Sequence, residues 1–106
     1  MSKVVLKKMA ELIKDPFIPL DVFKVNEAAV RLVKIHGKYH WHKHSKQDEL
    51  FMVLNGQMTI NLEDKKVVLN EGEGFVVKRG VMHQSFAENE ALILMVEPYD
   101  TKTKGD

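Results

Sequence analysis

The spacing of apolar residues changes once along the chain. From Ser2 to Lys14, Val5, Leu6, Met9, Leu12 and Ile13 recur three or four residues apart, which predicts a short amphipathic helix with Ser2 as its N-cap. Pro16 and Pro19 follow, and proline disfavours helix at and before itself, so Pro16-Phe17-Ile18-Pro19 reads as an extended connector. Residues 1–21 are then a helix and its connector. Beyond them come short β-type runs: Val22–Val25, Ala29–Ile35, Tyr39–His44, Glu49–Leu54, Met58–Leu62, Val67–Leu69, Gly74–Lys78, Met82–Phe86 and Ala91–Glu97. Asn55-Gly56 is a strong hairpin signal, and Glu63-Asp64-Lys65-Lys66, Asn70-Glu71-Gly72 and Arg79-Gly80 supply further bends. Strands this short and this regularly spaced predict an all-β sandwich or barrel over residues 22–100.

Leu50-Phe51-Met52-Val53-Leu54 and Leu92-Ile93-Leu94-Met95-Val96 are apolar at every position. A strand with one wet face alternates, so both faces of these two should be covered. One face can fill the barrel; the other needs the N-terminal helix or a second subunit, which predicts a homodimer. Residues 101–106 read as a loose polar tail.

A chain of 106 residues has room for about one core. Sixteen basic against fifteen acidic residues leave a net charge of +1, a balance that recommends neither nucleic acid nor anionic membrane as a partner. The absence of cysteine excludes disulfides, a thiolate nucleophile and sulfur-ligated zinc. Lysines interrupt MSKVVLKKMAEL too often for a signal-peptide core, and no run reaches the ~18 apolar residues of a membrane helix. The expected location is cytoplasmic. Ser2, Ser45 and Ser85 sit in no nucleophile-elbow context, and Gly72-Glu73-Gly74 reads as a turn rather than a phosphate loop.

Nitrogen and oxygen donors are the remaining chemistry. Four of the five histidines fall between His36 and His44, and His40, His42 and His44 alternate along one presumed strand, hence on one face. Two imidazoles at i and i+2 can meet one ion, although such a pair alone is more often a surface or hydrogen-bonded pair than a metal site. Glu49 opens the next strand after Ser45-Lys46-Gln47-Asp48, and a hairpin would return its carboxylate beside the histidines. A carboxylate ahead of a wholly apolar strand needs a cation or strong hydrogen bonds unless it faces water. His83, isolated on a late strand, is by itself more often a satisfied core residue than a ligand.

Together these residues resemble the cupins. GKYHWHKHSKQDELFMVLNG, residues 37–56, is similar to the first cupin motif, with His42, His44, Glu49 and Gly56 at its marked positions. GEGFVVKRGVMHQSFA, residues 72–87, is similar to the second, with Gly72, Gly80 and His83 in place. Gly37 lies one residue closer to His42 than usual, Lys78 stands where proline is usual and Ala87 where asparagine is usual; none is a ligand position. The resemblance spans about residues 29–97 and implies a cupin double-stranded β-helix, a jelly-roll barrel with a short N-terminal helix. It also implies one divalent transition metal per chain (manganese, iron, cobalt, nickel, copper or zinc) on His42, His44, Glu49 and His83. His40 shares the ligand face but falls outside that ligand set; it is expected to support the ligands or line the pocket, and it is the candidate catalytic residue for proton transfer. Tyr39 and Trp41 are expected on the opposite face, in packing. The implied activity is oxygenase (dioxygenase), sugar or sugar-phosphate isomerase, or decarboxylase chemistry on a small polar metabolite, with non-catalytic binding or sensing of a small molecule or metal as the alternative.

Overall fold

The computed structural model describes residues 3–106. Helix α1 spans Leu6–Ala10 only, shorter than the expected helix, and the capping assigned to Ser2 lies outside the described residues. Val5 occupies the cap position without a side-chain bond, and no acidic residue sits in the first turn, so little beyond five residues' own hydrogen bonding sustains the helix. The chain then turns, burying Ile13, whose carbonyl accepts from Lys34 Nζ at 3.0 Å. No helix among the described residues is long and apolar enough to cross a membrane.

Seven strands follow: β1 (Leu20–Val25), β2 (Ala28–Lys38), β3 (Glu49–Asn55), β4 (Met58–Leu62), β5 (Lys66–Leu69), β6 (Gly74–Val77) and β7 (His83–Pro98). They form one antiparallel system in the order β1-β2-β7-β3-β6, with β4 joining β7 to β5. The strands expected at Met82–Phe86 and Ala91–Glu97 are one sixteen-residue strand, because Glu88, Asn89 and Glu90 stay extended and exposed instead of turning. Its first part pairs with β4 and its second lies between β2 and β3. Thus β7 serves both walls and closes the barrel. At the Asn55-Gly56 hairpin the φ of Gly56 is +89°, and a Cβ there would lie 3.1 Å from that of Ala91. Only glycine combines that backbone with that approach.

The strand expected at Tyr39–His44 does not form. Apart from an isolated bridge between His42 and His83, the backbone from Tyr39 to Asp48 is irregular. Its ladder ends because β2 stops at Lys38 beside Phe86, and β4 already takes the far edge of β7.

Inward residues of β2, β3, β4 and β7, among them Val33, Phe51, Val53, Ile60 and Ile93, form the interior cluster. The other phase of the two wholly apolar strands, Leu50, Met52 and Leu54 with Leu92, Leu94 and Val96, is half-buried. Leu32, paired with Leu94 on that outer phase, is fully buried, so the outer face is partly covered within the chain itself.

Candidate metal centre

His42, His44, Glu49 and His83 converge at one end of the barrel, with one potential ligand atom from each lying within 4.8 Å of the others. Glu49 arrives as the first residue of β3 and His83 as the first of β7. The bridge between His42 and His83, with mutual N–H···O bonds of 3.0 and 2.9 Å, draws the irregular histidine segment against β7.

Backbone carbonyls orient two of the rings. Nδ1 of His42 donates to His40 O at 3.0 Å, and Nδ1 of His83 donates to Val81 O at 2.9 Å. Each tautomer thereby leaves the Nε2 lone pair facing the cluster. Nε2 of His44 and of His83 lie 3.1 and 3.2 Å from Glu49 Oε1. All three atoms are buried without a hydrogen-bond partner. Buried polar atoms are nearly always satisfied, so three orphans facing a common point fit a cation and do not fit plain packing. Burial, opposed by the His40 carbonyl and reinforced by His83 and His44, pushes the His42 imidazole down to about 4, favouring the neutral form that binds metal. Burial would raise the Glu49 carboxyl, but His44, His83 and Glu97 outweigh it and hold Glu49 well below the usual carboxylate range.

Glu97 and Arg31 extend the site and were not singled out from sequence. Leu50 pairs with Val96, which sets Glu49 directly across from Glu97 on the inner face. Like charges in that relation repel. Glu97 Oε1 has no donor, and the Glu49–Glu97 contact becomes a hydrogen bond only when one of the two carboxyls carries a proton. Burial and Glu49 push the Glu97 carboxyl up against the pull of Arg31, so of the two carboxyls Glu97 is the one that favours the protonated form. Arg31 donates to Glu97 Oε2, and through Nε to Asp21 Oδ1 at 2.7 Å. Its guanidinium also reaches the Tyr99 and Thr101 carbonyls at 2.7 and 3.3 Å. The available signal was phase: Arg31 shares β2's inward row with Val33 and Ile35, and Glu97 shares β7's with Ile93 and Met95.

A cavity of about 30 Å³ borders the cluster, lined by His42 and Glu49 and otherwise mainly by apolar side chains such as Phe17, Tyr39, Phe51 and Met95. The Phe17 and Tyr39 rings stack at 4.8 Å. Tyr39 therefore lines the cavity rather than facing away as expected, because its segment is not a regular strand. Trp41 is 43% exposed. His40 stands apart from the four converging donors: it is exposed, and Nε2 lies 3.0 Å from Lys104 O. His36 is also exposed. Lys78 is a surface residue 3.6 Å from Asp48, and Ala87 is buried in the interior cluster.

A small β-barrel with three imidazoles and a carboxylate converging at one end is the architecture of a single-domain cupin. The chain belongs to that family: residues 30–97 match the cupin domain. It is 32% identical over 105 residues to the uncharacterized protein YdbB of Bacillus subtilis (strain 168), spanning 97% of this chain and 93% of that one. The crystal structure of a cupin-2 domain containing protein from Shewanella frigidimarina superposes with a TM-score of 0.87 at 30% identity, over 90% of this chain and 93% of that one. A crystal structure from Neisseria meningitidis gives 0.83 at 28% identity, over 92% and 99%.

Proposed function

We propose that this protein holds one divalent transition-metal ion on His42, His44, Glu49 and His83 and uses it on a small metabolite in the barrel. The observation that carries the reading is the set of three buried, unpartnered donor atoms on His44, Glu49 and His83 aimed at one point. Imidazole with carboxylate suits manganese, iron, cobalt, nickel, copper or zinc and suits calcium poorly. A bound ion would supply Lewis acidity and open coordination positions.

The chain's own groups do the rest. The His40 and Val81 carbonyls fix the two rings they accept from. Glu97, held by Arg31, would in its protonated form donate a hydrogen bond to the Glu49 carboxylate and help to orient it. Phe17, Phe51 and Met95 line the remainder of the cavity with apolar surface, and low-dielectric surroundings strengthen polar interactions at its donor end. The lining includes no basic side chain other than the His42 imidazole, so the wall offers an anionic head group such as a phosphate nothing to bind. Oxygenase, isomerase or decarboxylase chemistry on a compact, largely uncharged compound is the activity this supports.

A binding or sensing module is the second reading. It is favoured by the scarcity of acid-base groups in the wall, which beyond His42 and Glu49 has only the hydroxyls of Tyr39, Ser85 and Thr103. The exposed His40, tied to Lys104 O, could serve proton transfer only after that contact breaks. A substrate screen on protein loaded with iron, manganese and zinc in turn separates the two readings. Enzymatic turnover should fall at least about 100-fold in Glu49→Gln, whereas ligand binding without turnover under every metal supports the module.

We also propose a cytoplasmic homodimer, packed through the half-buried row of Leu50, Met52, Leu92 and Leu94. A monomer by light scattering at micromolar concentration contradicts it.

A further inference from the structure

The C-terminal residues, expected to be loose, are bound across the histidine segment. Thr101 is buried, and its N–H and hydroxyl both donate to Pro98 O, at 3.0 and 2.6 Å. Arg31 holds the start of the segment through the Tyr99 and Thr101 carbonyls. At the other end, Asp106 N donates to Lys43 O at 3.0 Å, and Asp106 Oδ1 accepts from Ser45 N at 2.8 Å. Lys43 and Ser45 are the residues on either side of His44. Between these anchors Lys104 O meets His40 Nε2, and Thr103 lines the cavity beside His42.

Gly105 is what lets the segment lie so close. Its φ is +83°, and a Cβ built on it would sit 2.6 Å from Lys43 O and 2.9 Å from His42 Cβ. Neither neighbour can give way cheaply, since one is backbone and the other belongs to a ligand candidate held by a bridge. The half-open cavity beside Thr103 measures about 30 Å³, enough for about two waters at ~10–15 Å³ each and too little for a ring to sit wholly inside.

We propose that residues 101–106 are a wall of the binding site that sets ligand size. With the wall seated, the donor cluster admits water, dioxygen or a triatomic anion, and a bulkier chelator enters only when the wall lifts from Lys43 and Ser45. This rests on the metal centre proposed above and adds the class of ligand it accepts. The wall also braces the histidine segment, which lies outside the sheet and has its backbone groups at Lys43 and Ser45 satisfied by Asp106.

The test uses full-length protein loaded with cobalt(II), whose visible spectrum reports its coordination, and the variant Gly105→Ala, which alters none of the four donors. Azide binding checks that His42 and the other donors still hold the ion in the variant, and 4-nitrocatechol affinity is read relative to it. 4-Nitrocatechol, a bulky bidentate chelator, should bind the variant at least about tenfold more tightly. Equal 4-nitrocatechol affinity in the two proteins overturns the proposal. Amide exchange on the metal-free proteins provides a second measurement: the Ser45 N–H should be protected in wild type and exchange at least about tenfold faster in Gly105→Ala. Equal rates again overturn it. If wild type fails to take up cobalt, the metal reading falls by itself, and the exchange rates decide whether the wall exists.

Discussion

Strands β3 and β7 run from a polar end of the barrel to an apolar one, and each two-residue step along their inner faces changes the chemistry. Glu49 stands across from Glu97, Phe51 from Met95 and Val53 from Ile93. The last pair is fully buried in hydrocarbon and needs nothing but packing. The first pair is equally buried, yet consists of two carboxyl groups that require Arg31, a shared proton and, in the reading offered here, a cation. The same ladder hydrogen bonds build both ends. Stability is therefore concentrated where the side chains match water least, and function where buried groups remain unmatched.

The sharpest way to separate the two ends is to cut into the apolar one. Ile93→Ala leaves a cavity in the interior cluster and should cost about 2–5 kcal/mol, lowering Tm by roughly 10 °C or more. Metal content per folded chain should be unchanged. Loss of metal in proportion to stability would show that the ends are not independent.

A smaller effect is expected at the polar end. Glu97→Gln keeps the shape and a donor toward Glu49 but weakens the hold of Arg31, and should lower metal affinity by about 10–100-fold, the usual range for residues supporting a ligand. Calorimetric titration with zinc measures it, and an unchanged affinity would make Glu97 a purely structural partner of Arg31.

The smallest effect concerns protons in the metal-free protein. His42 titrates near 4 in the fold, against about 6.5 in the unfolded chain. As pH falls from 6.5 toward 4, the unfolded chain takes up a proton that the folded one refuses, so this contribution to stability is present above that window and lost within it. Glu97, pushed up, acts in the opposite sense. The measurement is therefore a difference: between pH 6.5 and 4.5, metal-free wild type should lose stability more steeply than His42→Ala, by up to about one proton.

The apolar end was legible in the sequence because alternation and unbroken apolar runs speak directly of burial. The four converging donors were legible through the spacing of two motifs, although the strand invoked to align His40, His42 and His44 does not exist. His42 is placed by a single bridge to His83, and His40, which nothing pairs with the sheet, turns outward to Lys104. Arg31 and Glu97 required the register between strands: a charged residue on an inward row was visible, but the partner across from it was not. The seating of residues 101–106 was invisible for a different reason. The segment bonds to the backbone atoms of Lys43 and Ser45, and backbone atoms carry no residue-type signal.

One cation shared with His42 would account for the unpartnered atoms of His44, Glu49 and His83. Elemental analysis of protein purified at neutral pH without chelator tests it most directly, with Glu49→Gln alongside. About one transition-metal ion per chain in wild type, and far less in a variant of unchanged fold, is the expected result. Wild-type protein that stays metal-free after incubation with manganese, iron, cobalt, nickel, copper and zinc would contradict the account.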